Sequence, residues 1–249
     1  MKILKQEKIE GIIVSETNYS ESSKILNILT CDRGLISVMS KGCRKIKSKL
    51  RAVSGRLTYG YFYIYYKEKG LSILKEVDII DSFRNIMLDL NNISYATYLT
   101  ELTLQVVKHS YDDNIYSIYV SALKKINEGF SPSIITSILE VKYLEYLGIK
   151  PSIDACSVCG STKDIVTISS VRGGYVCKDC YQDEVLVSQK CIKLIRMFYY
   201  VDIAKITELD IKDDTMKEIN RFIDNYYEDY SGLYLNSKMF LKNLNKIQN

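Results

Sequence analysis

Four of the seven cysteines in this 249-residue chain are spaced for chemistry. Within "CSVCGSTKDIVTISSVRGGYVCKDC", Cys156 and Cys159 form one Cys-x2-Cys pair, and Cys177 and Cys180 form a second after a 17-residue gap. Each short pair aims two sulfurs at one point, and two such pairs predict a tetrahedral site for one structural Zn2+. Four thiolates leave no open position for water or substrate. They also leave the site negatively charged, which Lys163, Arg172 and Lys178 nearby in sequence can offset. A redox dithiol pair is the alternative use of the same residues. Cys31, Cys43 and Cys191 lack partner spacing and read as unpaired thiols, although cations next to Cys43 favour its thiolate.

The second constellation is cationic. Lys41, Arg44, Lys45, Lys47, Lys49, Arg51 and Arg56 fall in a stretch with no Asp or Glu between Asp32 and Glu68. Such a block cannot neutralise itself and suits a polyanion, whose phosphates release condensed counterions when paired. "RLTYGYFYIYYK" follows with clean alternation. Thr58, Gly60, Phe62, Ile64 and Tyr66 read as a barrel interior, with Gly60 a possible bend; Tyr59, Tyr61, Tyr63 and Tyr65 read as an outward row. Bases stack on such rings with little regard to sequence, so Tyr59, Tyr61 and Tyr63 are candidate stacking residues; packing against a helical domain is the other reading.

Other chemistry is missing from the sequence. There is no Gly-x4-Gly-Lys-Ser/Thr loop, no Gly-x-Ser-x-Gly elbow and no His-Glu-x2-His pair. His109 is the single histidine and reads as a surface or packing residue. No catalytic residue is assigned, and the expectation is a binding protein rather than an enzyme.

The elements that must position these groups are legible from period. Residues 1–80 carry 15 Lys plus Arg against 8 Asp plus Glu, a net of +7, whereas the remainder carries 19 against 22. This first region reads as five strands, "KIEGIIVSET", "SSKILNILT", "GLISVMS", "RLTYGYFYIYYK" and "LSILKEVDII". Turns at Cys31-Asp32-Arg33-Gly34 and Glu68-Lys69-Gly70 predict hairpins. Five antiparallel strands interrupted after the third predict an OB-type barrel, with an open sheet as the alternative. From Asp81 the period turns helical at Phe83, Ile86, Met87, Leu90, Leu99, Leu102 and Val106. Ser131-Pro132 predicts a helix start with a serine cap, Ile134, Ile138, Val141, Leu144 and Leu147 one apolar face, and Gly148 and Pro151 its end. Further helices are expected after Ser188, Asp214 and Asn236. The expected organisation is α+β: an OB-fold domain over 1–80 and a helical domain over 81–249 that carries a zinc ribbon, 153–182, with its hairpin turning at Gly173-Gly174. "MKILKQEKIEG" lacks a signal-peptide core and no run is long enough to span a bilayer, so a cytoplasmic location with no membrane contact is expected.

Taken in order, "YSESSKILNILTCDRGLISVMSKGCRK", "LEVKYLEYLGIKPSIDACSVCG", "GGYVCKDC" and "LYLNSKMFLKNL" resemble the RecO family of bacterial recombination mediators across essentially the whole chain. The resemblance implies binding of single- and double-stranded DNA, annealing of complementary strands, and work with RecR to help RecA replace single-strand-binding protein (SSB). It also implies docking of the acidic SSB tail and a nucleoid-associated place in the cytoplasm. The family offers no catalytic residues to transfer. For DNA contacts it supports the seven basic positions above together with Lys24 and Arg33. An RNA-binding module, or a scaffold whose basic loop docks acidic proteins, are the competing classes.

Overall fold

The computed structural model describes residues 5–68, 70–110 and 112–248. Lys69 of the expected Glu68-Lys69-Gly70 turn lies outside the described residues. They separate into two compact units: one through Leu88 with residues 112–120, the other from Asp89 to Ser110 and from Ser121 onward.

The first unit is built on five strands: β1 (Gln6–Tyr19), β2 (Ser23–Thr30), β3 (Gly34–Ser40), β4 (Tyr59–Tyr65) and β5 (Ser72–Asp81). They close into a barrel in the order β1-β2-β3-β5-β4. All neighbours are antiparallel except β3 and β5, which meet in parallel at Val38↔Ser72 and Met39↔Ile73. The sheet is therefore the OB-type barrel rather than an open sheet. The β2–β3 hairpin turns where Asp-Arg-Gly placed it, with Gly34 at φ 61°.

Alternation fills the barrel. Ile9, Ile13, Leu26, Ile28, Val38, Phe62, Ile64 and Leu74 form its interior cluster. Gly60 is the bend the sequence suggested: the β4–β5 register shifts between Tyr59 and Gly60, and a Cβ there would collide with the Asp78 carbonyl. Its cross-strand partner is also a glycine, Gly11, so two strands approach closely where the sheet curls.

Helix α1 (Arg84–Met87) is a single turn. The second unit begins with α2 (Leu90–His109), whose N-terminus is capped by Asp89, the carboxylate accepting from the Asn92 amide at 2.7 Å. This new start breaks the helical run expected from Phe83, and Met87 and Leu90 of that run are exposed rather than buried. Helix α3 (Asp113–Asn127) was not anticipated. Helix α4 (Pro132–Tyr146) begins at Ser131, but the serine side chain makes no capping bond there. It ends as expected, with Gly148 at φ 74° and the Ile149 and Gly148 amides donating back to Leu144 and Glu145.

The apolar face foreseen on α4 is too narrow. Ile135, Leu139 and Tyr143 are as buried as Ile138, Val141 and Leu144, because α4 packs against α2 and against α5 (Gln189–Tyr200) and α6 (Asp213–Tyr230). Helix α7 (Asn236–Gln248) packs on α2. Between α4 and α5 lies a ribbon: β6 (Ile165–Ser169) pairs antiparallel with β7 (Gly174–Cys177), followed by a 3-10 turn, Lys178–Cys180. Among the described residues no helix is long and apolar enough to cross a membrane.

Candidate nucleic-acid interface and metal centre

The cationic block is the connection between β3 and β4. It is folded, not slack. Backbone bonds Lys45→Gly42, Ser48→Lys45 and Arg51→Ser48 wind it through successive turns. Cys43 and Leu57 are buried, Leu50 packs against the barrel cluster, and buried Ser54 meets Ser40 Oγ to Oγ at 2.8 Å. The Leu57 amide and the Ile13 carbonyl bond at 2.9 Å, tying the exit of the connection to β1.

From this base Lys41, Arg44, Lys45, Lys47, Lys49, Arg51 and Arg56 all project into solvent. Among the described residues none of the seven makes an ion pair; Arg44 donates only to the Ser20 carbonyl, at 3.2 Å. Lys24 and Arg33 differ. Lys24 pairs with Glu16 at 3.0 Å and reaches the Ser54 carbonyl at 3.4 Å. Arg33 pairs with Glu7 at 2.7 Å and stacks 4.3 Å from the Tyr66 ring. Both cations already have internal partners, so they are less available than the loop.

The tyrosine row splits. Tyr59 is buried: its ring lies parallel to Phe83 at 6.1 Å and its hydroxyl donates to Glu10 at 2.7 Å, a carboxylate that also accepts from Tyr116 at 3.2 Å. Burial raises the pKa of both phenols well above the ordinary value, aided by the Glu10 carboxylate at Tyr59 and by Tyr59 and then Glu10 at Tyr116. Tyr61, Tyr63 and Tyr65 are half-buried on the outer face. Lys8 on β1 stands 4.0 Å over Tyr61, Lys75 on β5 stands 4.7 Å over Tyr65, and Tyr63 donates to Asp78 at 2.8 Å. Lys8 and Lys75 were not singled out in the sequence; the strand register that sets them across from the tyrosines is not visible there.

In the second unit the four cysteines converge. Their Sγ atoms all lie within 4.8 Å of one another, and Cys159 and Cys177 approach to 3.6 Å. A tetrahedral Zn2+ with bonds of about 2.3 Å requires sulfurs about 3.8 Å apart, so the quartet fits that ion. The ribbon sets this spacing. Cys156 and Cys159 sit on a tight turn closed by Gly160 N–H→Cys156 O at 2.9 Å; Ser157 N–H donates to Tyr175 O at 2.8 Å, joining that turn to β7. Cys177 ends β7, and the 3-10 turn brings back Cys180.

The local environment shifts the thiols of the quartet in opposite directions. Burial opposes ionisation of Cys156, but amides of Cys177, Cys159 and Val158 outweigh it and bring this thiol down to about 6. Hydrogen bonding from Cys159 pushes Cys180 up to about 12, and burial raises Cys177. Of the three cations expected to offset the site, Arg172 is instead engaged by Glu184 at 2.9 Å, while Lys163 and Lys178 are exposed. His109 is exposed at the end of α2. Cys43 and Cys191 are buried, and burial pushes Cys191 up to about 12.

Comparison with known proteins covers the same two regions. The family described as "Recombination protein O N terminal" matches residues 1–83, and "Recombination protein O C terminal" matches residues 87–239. A Listeria monocytogenes protein named DNA repair protein RecO is 35% identical over 98% of this chain and 96% of its own length. Relatives of the same name from Bacillus pumilus and Bacillus velezensis are each 35% identical over 97% of this chain. With both terminal domains matched and relatives aligned nearly end to end, the chain belongs to the RecO family.

Proposed function

We propose that this protein serves DNA repair as a non-catalytic recombination mediator that binds single- and double-stranded DNA and anneals complementary strands. One observation carries the reading: seven solvent-facing cations, with no ion-pair partner among the described residues, stand on an anchored connection of an OB barrel. Two single strands repel through their phosphates. A dense cationic surface lowers that repulsion and holds both chains close while base pairing drives the reaction, with no nucleotide hydrolysis. Tyr61 and Tyr63 lie on the outer face of the barrel, where bases can stack.

In the same proposal the protein works with RecR, docks the acidic tail of SSB, and so helps RecA load on SSB-coated single strands. Family membership supports these partners. One Zn2+ held by Cys156, Cys159, Cys177 and Cys180 supplies folding free energy to the ribbon and takes no part in reaction chemistry.

Annealing of fluorescent complementary strands, bare and SSB-coated, at several salt concentrations tests the proposal. Acceleration that fades with salt supports it, and no acceleration of bare strands at low salt defeats it. Equal competition by matched RNA would move the assignment to a general nucleic-acid module.

A further inference from the structure

Among the described large apolar side chains, Ile46 is the most exposed, at 85%. It stands in the middle of the cationic connection, between exposed Lys45 and Lys47, and it occupies the first corner of the turn closed by Ser48 N–H→Lys45 O at 3.1 Å. Its exposure does not come from a slack loop. Of the other apolar residues of the connection, Cys43 and Leu57 are buried, Leu50 packs on the barrel interior and Val53 is half-buried, so only the small Ala52 shares its exposure. The backbone on either side is fixed by the turn bonds and by the Ser40–Ser54 contact. The fold therefore holds one large aliphatic side chain out in water between two exposed lysines.

Proteins that distort nucleic acids insert such side chains between adjacent bases, while cations beside the wedge hold the flanking phosphates. An aliphatic group in this position gains apolar surroundings only when a base step opens to receive it. We infer that Ile46 is an unstacking wedge: Lys45 and Lys47 hold the phosphates, and the Ile46 side chain enters a base step of the bound strand. This rests on the proposed DNA binding and adds a role for one residue. A single strand stacks on itself and folds back, and pairing with a second strand needs its base edges free. A wedge on the annealing surface supplies open steps at which pairing begins.

The test uses the intact protein and an oligonucleotide carrying one 2-aminopurine, whose emission rises when its neighbours unstack. Wild type raises that emission. Ile46→Ala removes the rise and slows annealing by about tenfold, a modest share of the cost of opening one step. Ile46→Leu keeps both, and all three proteins share one salt dependence of binding, because the cations are intact. The substituted side chain is exposed, so folding is not at risk. A rise that survives in Ile46→Ala, or a wild type that binds without any rise, overturns the wedge while leaving DNA binding standing. Absence of salt-dependent binding by wild type would instead defeat the proposed function itself.

Discussion

The hydroxyls of Ser40 and Ser54 meet at 2.8 Å beneath the cationic connection, joining the end of β3 to the last third of the loop. Both side chains are essentially inaccessible, at 0% and 1% exposure, so neither can trade this bond for water. Ser54→Ala leaves the Ser40 hydroxyl buried and unmatched, a loss of about 1–3 kcal/mol. Trypsin, which cleaves after Lys and Arg, should then cut the connection sooner than in wild type. Equal cleavage rates would show that the loop is held by other means.

Replacing Lys45, Lys47 and Lys49 by Ala removes up to three phosphate contacts. The log–log salt slope of single-strand binding should flatten by about 2. Titration across salt concentrations measures it, and an unchanged slope would place the contact surface elsewhere.

Metal analysis of carefully reduced protein should find one zinc per chain, and Cys156→Ser with Cys177→Ser should lose it. Because ligand thiols give up protons to the ion, zinc affinity should fall as pH drops. Gly174→Ala should also impair zinc retention without touching a ligand: its Cβ would collide with the Ser152 backbone, to which β7 is bonded through Tyr175 N–H→Ser152 O at 2.7 Å. Retention of a full equivalent of zinc by the double cysteine variant would sink the assignment.

In the helical unit, Lys238 of α7 bridges Glu140 at 3.1 Å and Asp224 at 2.7 Å. Glu140 is only 6% exposed, and Lys238→Met would strand its charge at a cost of about 3 kcal/mol. Burial lowers the Lys238 pKa, but the two carboxylates outweigh it and the net shift is upward. The stabilisation is therefore complete below the unfolded-state lysine value of about 10.4 and is lost as pH rises through the higher folded value. From neutral pH to about pH 10, thermal melts of wild type and variant should differ by a steady margin, and they should converge above it. A margin that stays unchanged well above about pH 10 would contradict this linkage.

Period and turn chemistry made much of the fold readable. Asp-Arg-Gly located the β2–β3 hairpin, Ser188 caps α5 by accepting from the Cys191 amide at 3.1 Å, and the paired cysteines marked the ribbon. Helix α3 was legible although not anticipated: Ile115, Tyr119, Leu123 and Ile126 recur at helical spacing and are all buried. The cap at Ser131 failed because Pro132 suffices to start the helix and the serine side chain points elsewhere than the free amides. Within the candidate interface, the seven cations were legible as locally uncompensated charge because no Asp or Glu falls between Asp32 and Glu68, and among the described residues no distant carboxylate pairs with them. The fate of Tyr59 was not: its burial depends on Phe83, held at φ 46° beyond the end of β5, a relation that period cannot encode.

The barrel order carries a consequence for biosynthesis. Strand β1 pairs with β4 from Gln6↔Tyr65 to Ile12↔Tyr59, so its outer flank finds no mate until residue 65 has left the ribosome. Pairings so distant along the chain form slowly. The emerging three-strand ribbon must wait with Ile9, Ile13 and Leu26 uncovered, and the charged segment, spliced between the early and late strands, sets into its working shape only when the cylinder shuts. A nascent or truncated chain thus lacks the anchored form of this loop, whatever its charge.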